Sequence, residues 1–186
     1  MRPIVPLDLG LCLIRPWREQ DAASLARHAN SRRVWQNLRD DFPHPYTETH
    51  AARFLARAVT ADPTTNFAIV VGGKAVGGIG YHLSDDAPRS GAEVGYWLNE
   101  SYWGRGIATA AVRAMTAFVF SAHANLRRIC AVPFAWNAAS ARVLEKAGFT
   151  LERSLRQSAI KQGRAANQLL YAIVREERRT RHVSDR

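Results

Sequence analysis

Apolar and polar residues change their period several times along the chain, and each change marks a boundary. Leu9 to Arg15 is apolar almost without interruption, as a buried strand is, whereas Glu19 to Ala29 places Ala22, Leu25, Ala26 and Ala29 at helical spacing. The prolines and acids of Asp40 to Pro45 break the chain. Thr47 or Thr49 can cap the next helix, whose apolar face is Ala51, Phe54, Leu55, Ala58 and Val59. Phe67 to Val71, Gly72-Gly73-Lys74 and Ala75 to Leu83 read as a hairpin, Ser84 to Gly91 as a polar loop and Glu93 to Leu98 as a further strand. Beyond Gly104 the helical period returns through Ile107, Ala111, Ala114 or Met115, Phe118 and Ala122, and the alanines let that helix sit close to a sheet. The pattern closes with a strand over Leu126 to Val132 that Pro133 ends, and a helix over Asn137 to Ala147 that Gly148 caps. Two more strands lie around Phe149 to Arg156 and Asn167 to Glu176. Antiparallel strands, a strand-helix-strand-helix unit and a closing pair predict an α+β domain, with a mixed, mostly antiparallel central sheet flanked by helices in three layers.

One stretch stands out from this pattern. In Trp103-Gly104-Arg105-Gly106-Ile107-Ala108-Thr109, two glycines flank an arginine where an extended segment becomes a helix. Such a turn gathers several backbone N–H groups at the positive end of the helix dipole, a cradle for phosphate from Arg105 to Thr109, with the Arg105 side chain as a second contact. The plainer reading is a tight strand-to-helix turn. The run also fits a longer pattern, Gln or Arg, two free positions, Gly, one free position, then Gly or Ala, beginning at Trp103. Downstream follow Asn137-Ala138-Ala139-Ser140 and Glu145-Lys146-Ala147-Gly148-Phe149. Together these motifs resemble the acetyl-CoA-binding signature of the GNAT acetyltransferases. Glu93-Val94-Gly95-Tyr96-Trp97-Leu98, Ile14-Arg15-Pro16-Trp17 and Pro45-Tyr46-Thr47 resemble the branch that holds the ribosomal-protein N-terminal acetyltransferases.

The resemblance implies a sheet splayed beside bound acetyl-CoA. It also implies that the backbone of Trp97, Leu98 and Asn99 pairs with the pantetheine arm, and that the Asn137 amide bonds the same arm. A plain helix N-cap at Asn137 is compatible with that role. Cofactor contacts then run through Trp103, Gly104, Arg105, Gly106, Ile107, Ala108 and Thr109. Trp103 stands where the pattern has Gln or Arg, so its side chain is expected to pack while its backbone serves the cradle.

Acetyl transfer to an amine needs a proton acceptor, because an α-amine with a pKa near ~8, or a lysine near ~10.4, arrives mostly protonated at neutral pH. Glu93 is the candidate base, against the alternative of a solvated strand end. The leaving thiolate needs a hydroxyl. Many GNAT members place a tyrosine seven residues after the motif asparagine, but Leu144 occupies that position here. Ser140, one turn after Asn137, is the remaining candidate; the other reading is a small residue bonding its own helix. Trp35, His44 and Tyr46 fall where relatives line the acceptor site, yet core or loop roles suffice for them. Gly77-Gly78-Ile79-Gly80 reads as a strand with close backbone contacts.

Composition adds limits. The 186 residues, 47% hydrophobic, suit one domain spanning 1–186. No apolar run reaches the ~20 residues of a membrane span, and no secretory signal is evident, so a soluble cytoplasmic protein without a membrane partner, monomer or homodimer, is expected. Cys12 and Cys130 read as buried thiols and the histidines lack ligand spacing, so no metal is expected. Of the charged residues behind the net charge of +10, 15 basic and 5 acidic ones follow Glu100. That half would draw a polyanion, whether CoA or ribosomal RNA. The end, near 177–186 with Arg178, Arg179 and Arg181, reads as a mobile basic tail. The leading reading is therefore an acetyl-CoA-dependent N-acetyltransferase acting on a primary amine, with a protein N-terminus, a ribosomal protein among them, as acceptor. The alternatives are a small-molecule amine such as a polyamine or antibiotic, or an idle CoA-binding, ribosome-associated module.

Overall fold

A computed structural model describes residues 6–83 and 91–175. The polar loop expected over Ser84 to Gly91 lies outside the described residues except for Gly91, which begins β5, and the expected tail near 177–186 lies outside them. The chain runs β1 (Leu7–Asp8), β2 (Leu13–Pro16), α1 (Ala22–Ala29), α2 (Arg32–Trp35), α3 (Glu48–Thr60), β3 (Asn66–Val71), β4 (Lys74–Leu83) and β5 (Gly91–Leu98). It continues through α4 (Ile107–Ala122), β6 (Arg128–Ala131), α5 (Ala138–Ala147), β7 (Thr150–Lys161) and β8 (Arg164–Val174). One sheet of eight strands has the order β1-β2-β3-β4-β5-β6-β8-β7, and β5 with β6 is its parallel pair. The mixed, mostly antiparallel α+β sheet expected from the pattern is present.

Helices cover both faces, as strands buried on both sides require. One core joins Ile69, Val76, Val94 and Leu98 to Ile107, Ala111, Met115 and Leu144 of α4 and α5. The other joins Ala68, Val70 and Ala75 to Leu25, Ala29, Ala51 and Leu55 of α1 and α3. In β4, a Cβ on Gly78 would lie 2.7 Å from Trp97 Nε1, so only glycine lets that indole lie across the neighbouring strand. Arg175 closes the C-terminal end of α4, its guanidinium donating to the carbonyls of Phe120 and His123.

Several boundaries differ from the sequence pattern. The strand expected over Leu9 to Arg15 begins only at Leu13, and a short strand, Leu7–Asp8, precedes it, because the chain turns at Gly10, whose amide donates to Asp8 Oδ1 at 2.9 Å. The first turn of the helix expected from Glu19 tightens to a 3₁₀ turn, where buried Asp21 takes two hydrogen bonds from Arg15 at 2.7 and 2.8 Å. The short α2, capped by Ser31, carries too few residues to show a period. Val59 is exposed, not part of the apolar face of α3. The closing hairpin is longer than expected, since β7 is exposed along most of its length and shows no alternation. Cys12 is buried and Cys130 half-buried; both are free thiols, pushed up in pKa chiefly by burial. Among the described residues no helix is long and apolar enough to cross a membrane, and no cluster of metal-ligating side chains occurs.

Candidate active site

The parallel pairing of β5 with β6 covers only Gly91 to Glu93 against Arg128 to Cys130. Beyond Glu93 the strands part and leave an unpaired backbone edge inside the sheet. The Asn99 amide donates to the Val76 carbonyl at 2.9 Å, which fixes the alternation: Asn99, Trp97, Gly95 and Glu93 direct their backbone groups to β4, and Leu98 and Tyr96 direct theirs to the gap. Of the residues that the resemblance implies for the pantetheine arm, Leu98 faces the gap, whereas Trp97 and Asn99 direct their backbone groups to β4. Asn99 is fully engaged, its carbonyl accepting from Tyr102 and its side chain donating to the His28 carbonyl and accepting from Ser101. The Leu98 carbonyl is also taken, by Trp103 Nε1–H at 2.7 Å. The edge therefore presents the Leu98 amide with both backbone groups of Tyr96.

The chain then turns through a 3₁₀ segment, Glu100–Tyr102, into the glycine run. Gly104 and Gly106 have φ of +75° and +77°, a backbone that side chains resist, and Gly106 begins α4 without a side-chain cap. The first bond of α4 is donated by Ala110, so the amides of Ile107, Ala108 and Thr109 have no acceptor among the described residues, nor do those of Gly104, Arg105 and Gly106. Trp103 does more than pack: it is half-exposed beneath the Arg33 guanidinium, 5.1 Å from its ring. Arg105 lies over Tyr102 at 5.4 Å. These residues line a cavity of about 390 Å³, with Arg142 and Lys146 of α5 on its far wall. Free amides, two left-handed glycines, an open strand edge and a cationic wall fit a pyrophosphate on an extended amide-bearing arm.

A second cavity, of about 590 Å³, lies between β5 and α3, with Glu93 and Trp97 in its wall. The Glu93 carboxylate accepts a hydrogen bond from Arg39 at 2.7 Å and is partly exposed. The two cavities share Asn37, Leu38, Tyr96, Trp97, Asn137 and Ser140. At that junction the Tyr96 hydroxyl is 2.7 Å from Ser140 Oγ, and burial pushes its pKa up to about 12, opposed by the Ser140 hydrogen bond. Asn137 Oδ1 caps α5 by accepting from the Ser140 amide at 3.1 Å, and its Nδ2 has no partner among the described residues, so the cap leaves the amide donor available. Leu144 is wholly buried in the core.

Sequence reasoning passed over four residues of this region: Tyr96, Arg39, Asp40 and Lys161. Lys161, at the tip of the β7–β8 hairpin, is buried beneath the loop that follows α2. Its Nζ meets Asp40 Oδ1 at 2.9 Å, donates to the Trp35 carbonyl at 3.1 Å and lies 4.0 Å from the Trp35 ring centre. The Gln162 amide donates to Asp40 Oδ2 at 2.8 Å. Trp35 also stacks on His44, and Tyr46 is buried, its phenol pushed up to about 12 by burial with Arg57 opposing. The loop bearing Arg39 is thus held at neighbouring residues by the hairpin and by Glu93. Tyr96 alone had a visible signal, lying between the quoted strand residues; the others depend on partners far away in sequence.

Residues 12–150 match the family model of the acetyltransferase (GNAT) domain. The chain is 37% identical over 100 residues to the uncharacterized N-acetyltransferase YoaA of Bacillus subtilis, a match covering 54% of this chain and 55% of that protein, about half its length. Among solved structures, Mycobacterium smegmatis RimJ in complex with CoA-disulfide superposes with a TM-score of 0.76 at 28% identity, covering 91% of this chain and 86% of that one. The ribosomal-protein-S5-alanine acetyltransferase from Vibrio fischeri shares the fold with a TM-score of 0.80 at 24% identity, covering 92% and 97%.

Proposed function

The chain belongs to the GNAT acetyltransferase family, and on that premise we propose that it transfers an acetyl group from acetyl-CoA to a primary amine, the N-terminal amine of a protein. A ribosomal protein is a fitting acceptor, since one relative in fold is named for acetylating ribosomal protein S5. The observation that carries this reading is the junction of two cavities at Tyr96, Asn137 and Ser140, with the open strand edge on one side and Glu93 on the other.

When bound, acetyl-CoA supplies a thioester whose carbonyl is the electrophile. The amides from Gly104 to Thr109 hold its pyrophosphate, and Leu98, Tyr96 and Asn137 Nδ2 hold the pantetheine amides across the gap. Glu93, positioned by Arg39, accepts the proton of the incoming amine directly or through water. Ser140 donates to the departing sulfur, and the Tyr96 phenol donates to Ser140 Oγ in turn. A phenol raised to about 12 stays protonated across the working range, so Tyr96 keeps a proton with which to donate, and with Ser140 Oγ–H turned to the sulfur the phenol is left as the donor of this pair.

The test is a screen of N-terminal peptides and small amines for CoA release. The reading expects turnover of peptides with a free α-amine and none of the same peptides when N-acetylated. Saturating acetyl-CoA, at ~100 times its dissociation constant, should add ~2.7 kcal/mol to stability, enough to shift a melting curve by several degrees. Absence of both effects would sink the proposal.

A further inference from the structure

α3 turns His50, Arg53 and Arg57 toward the cavity that holds Glu93, at spacings that put them on one helical face. Arg53 and Arg57 are exposed, and neither has an acidic partner among the described residues. Arg39 adds a third guanidinium to the same wall, paired with the carboxylate proposed to receive the amine's proton. Against them the cavity offers Glu93 and Asp41, the latter without an ion-pair partner among the described residues. The imbalance is local to the acceptor side and separate from the basic residues around the glycine turn, so the phosphates of acetyl-CoA do not account for it.

We infer that the acceptor cavity selects an amine whose own chain carries carboxylates beside it, an acidic N-terminal segment of a protein; this rests on the acetyl-transfer reading above. An N-terminal amine reaching Glu93 brings its next residues alongside α3, where carboxylates meet Arg53 and Arg57. Trp97, Phe42 and Tyr46 line the same cavity and give the peptide an aromatic surface. A polyamine gains nothing from this wall, because each further ammonium faces a guanidinium.

The experiment uses the full chain with acetyl-CoA and three octapeptides that share their first residue and carry acidic, neutral or basic side chains at positions two to four. CoA release should give kcat/KM about tenfold higher for the acidic than for the basic peptide, the size expected of two exposed ion pairs, and the gap should narrow with salt. The double variant Arg53→Glu, Arg57→Glu should invert the order, and Arg53→Lys, Arg57→Lys should keep it. Equal use of acidic and basic peptides, or an order unmoved by charge reversal, overturns the inference while leaving acetyl transfer standing. Faster turnover of a small carboxylated amine than of any peptide overturns the peptide assignment. No turnover of any peptide removes the underlying reading and the inference with it.

Discussion

The two cavities meet at one junction yet are built in opposite ways. The one proposed for acetyl-CoA draws chiefly on backbone: free amides of Gly104 to Thr109, the Leu98 amide and the Tyr96 peptide groups, from a single run of sequence with α5 and the α2 region added as walls. The one proposed for the acceptor is assembled from Trp17 just after β2, α1, the loop after α2, α3, β3, β4, β5, the end of β6 with the segment after it, α5 and β8. Backbone groups are the same for every residue type, so the first cavity tolerates substitution except where a conformation demands glycine. Each wall of the second can change independently, which suits a fold that keeps one donor and varies its acceptor.

The contrast can be broken at defined points. Glu93→Gln should cost on the order of 10² or more in turnover with acetyl-CoA affinity nearly unchanged, read by single-turnover rates beside titration of the cofactor. Equal losses in both would place Glu93 in the cofactor site. Gly106→Val tests the opposite side: a branched side chain at φ +77° costs ~1–3 kcal/mol of strain, so cofactor affinity should fall roughly 10- to 100-fold, with acceptor KM unmoved. A normal melting shift with acetyl-CoA in that variant would refute the cradle. At the junction, Tyr96→Phe and Ser140→Ala should each slow the chemical step by about tenfold. The double variant should lose less than the product of the two, since they share one hydrogen bond. Independent effects would assign Tyr96 to packing.

The smallest effect concerns the acceptor loop. Asp40 is held below its ordinary 3.8, first by the hydrogen bond from Lys161 and then by the Gln162 amide. Its contribution is therefore complete above that ordinary value and is lost as pH falls through the lowered folded one. Asp40→Asn should raise acceptor KM about threefold at neutral pH, the scale of an exposed ion pair, and flatten the stability profile below about pH 4. An unchanged acid limb would show that the loop is held without Asp40.

The same contrast explains what the sequence revealed. The glycine turn, the strand before it and the cap at Asn137 are local features, and their residues lie together as the motifs suggested. Which of Trp97, Leu98 and Asn99 faces the gap was not legible, because strand alternation cannot be phased without knowing which neighbour takes the hydrogen bonds, and the Asn99 amide settles that only in the folded chain. Arg39, Asp40 and Lys161 left no periodic trace. The Asp40 to Pro45 stretch reads as a break in the chain, and Lys161 reads as one more surface cation until the fold buries it over Trp35. The sheet order was legible as a class and not as strand lengths, since β7, exposed along most of its length, has no apolar alternation to delimit it.

The Lys161 contact with Trp35 joins residues 126 apart in the chain. Closing so long a loop carries an entropic cost that only the assembled sheet can offset, so this link forms late in folding and is among the first that a native fluctuation can release. Its opening frees the loop bearing Arg39 from the hairpin while α4, α5 and both cores stay packed. The acceptor side thereby has a low-energy excursion of its own, and amide hydrogens from Gln36 to Phe42 and at Gln162 should exchange together, well ahead of those in β3 and β4.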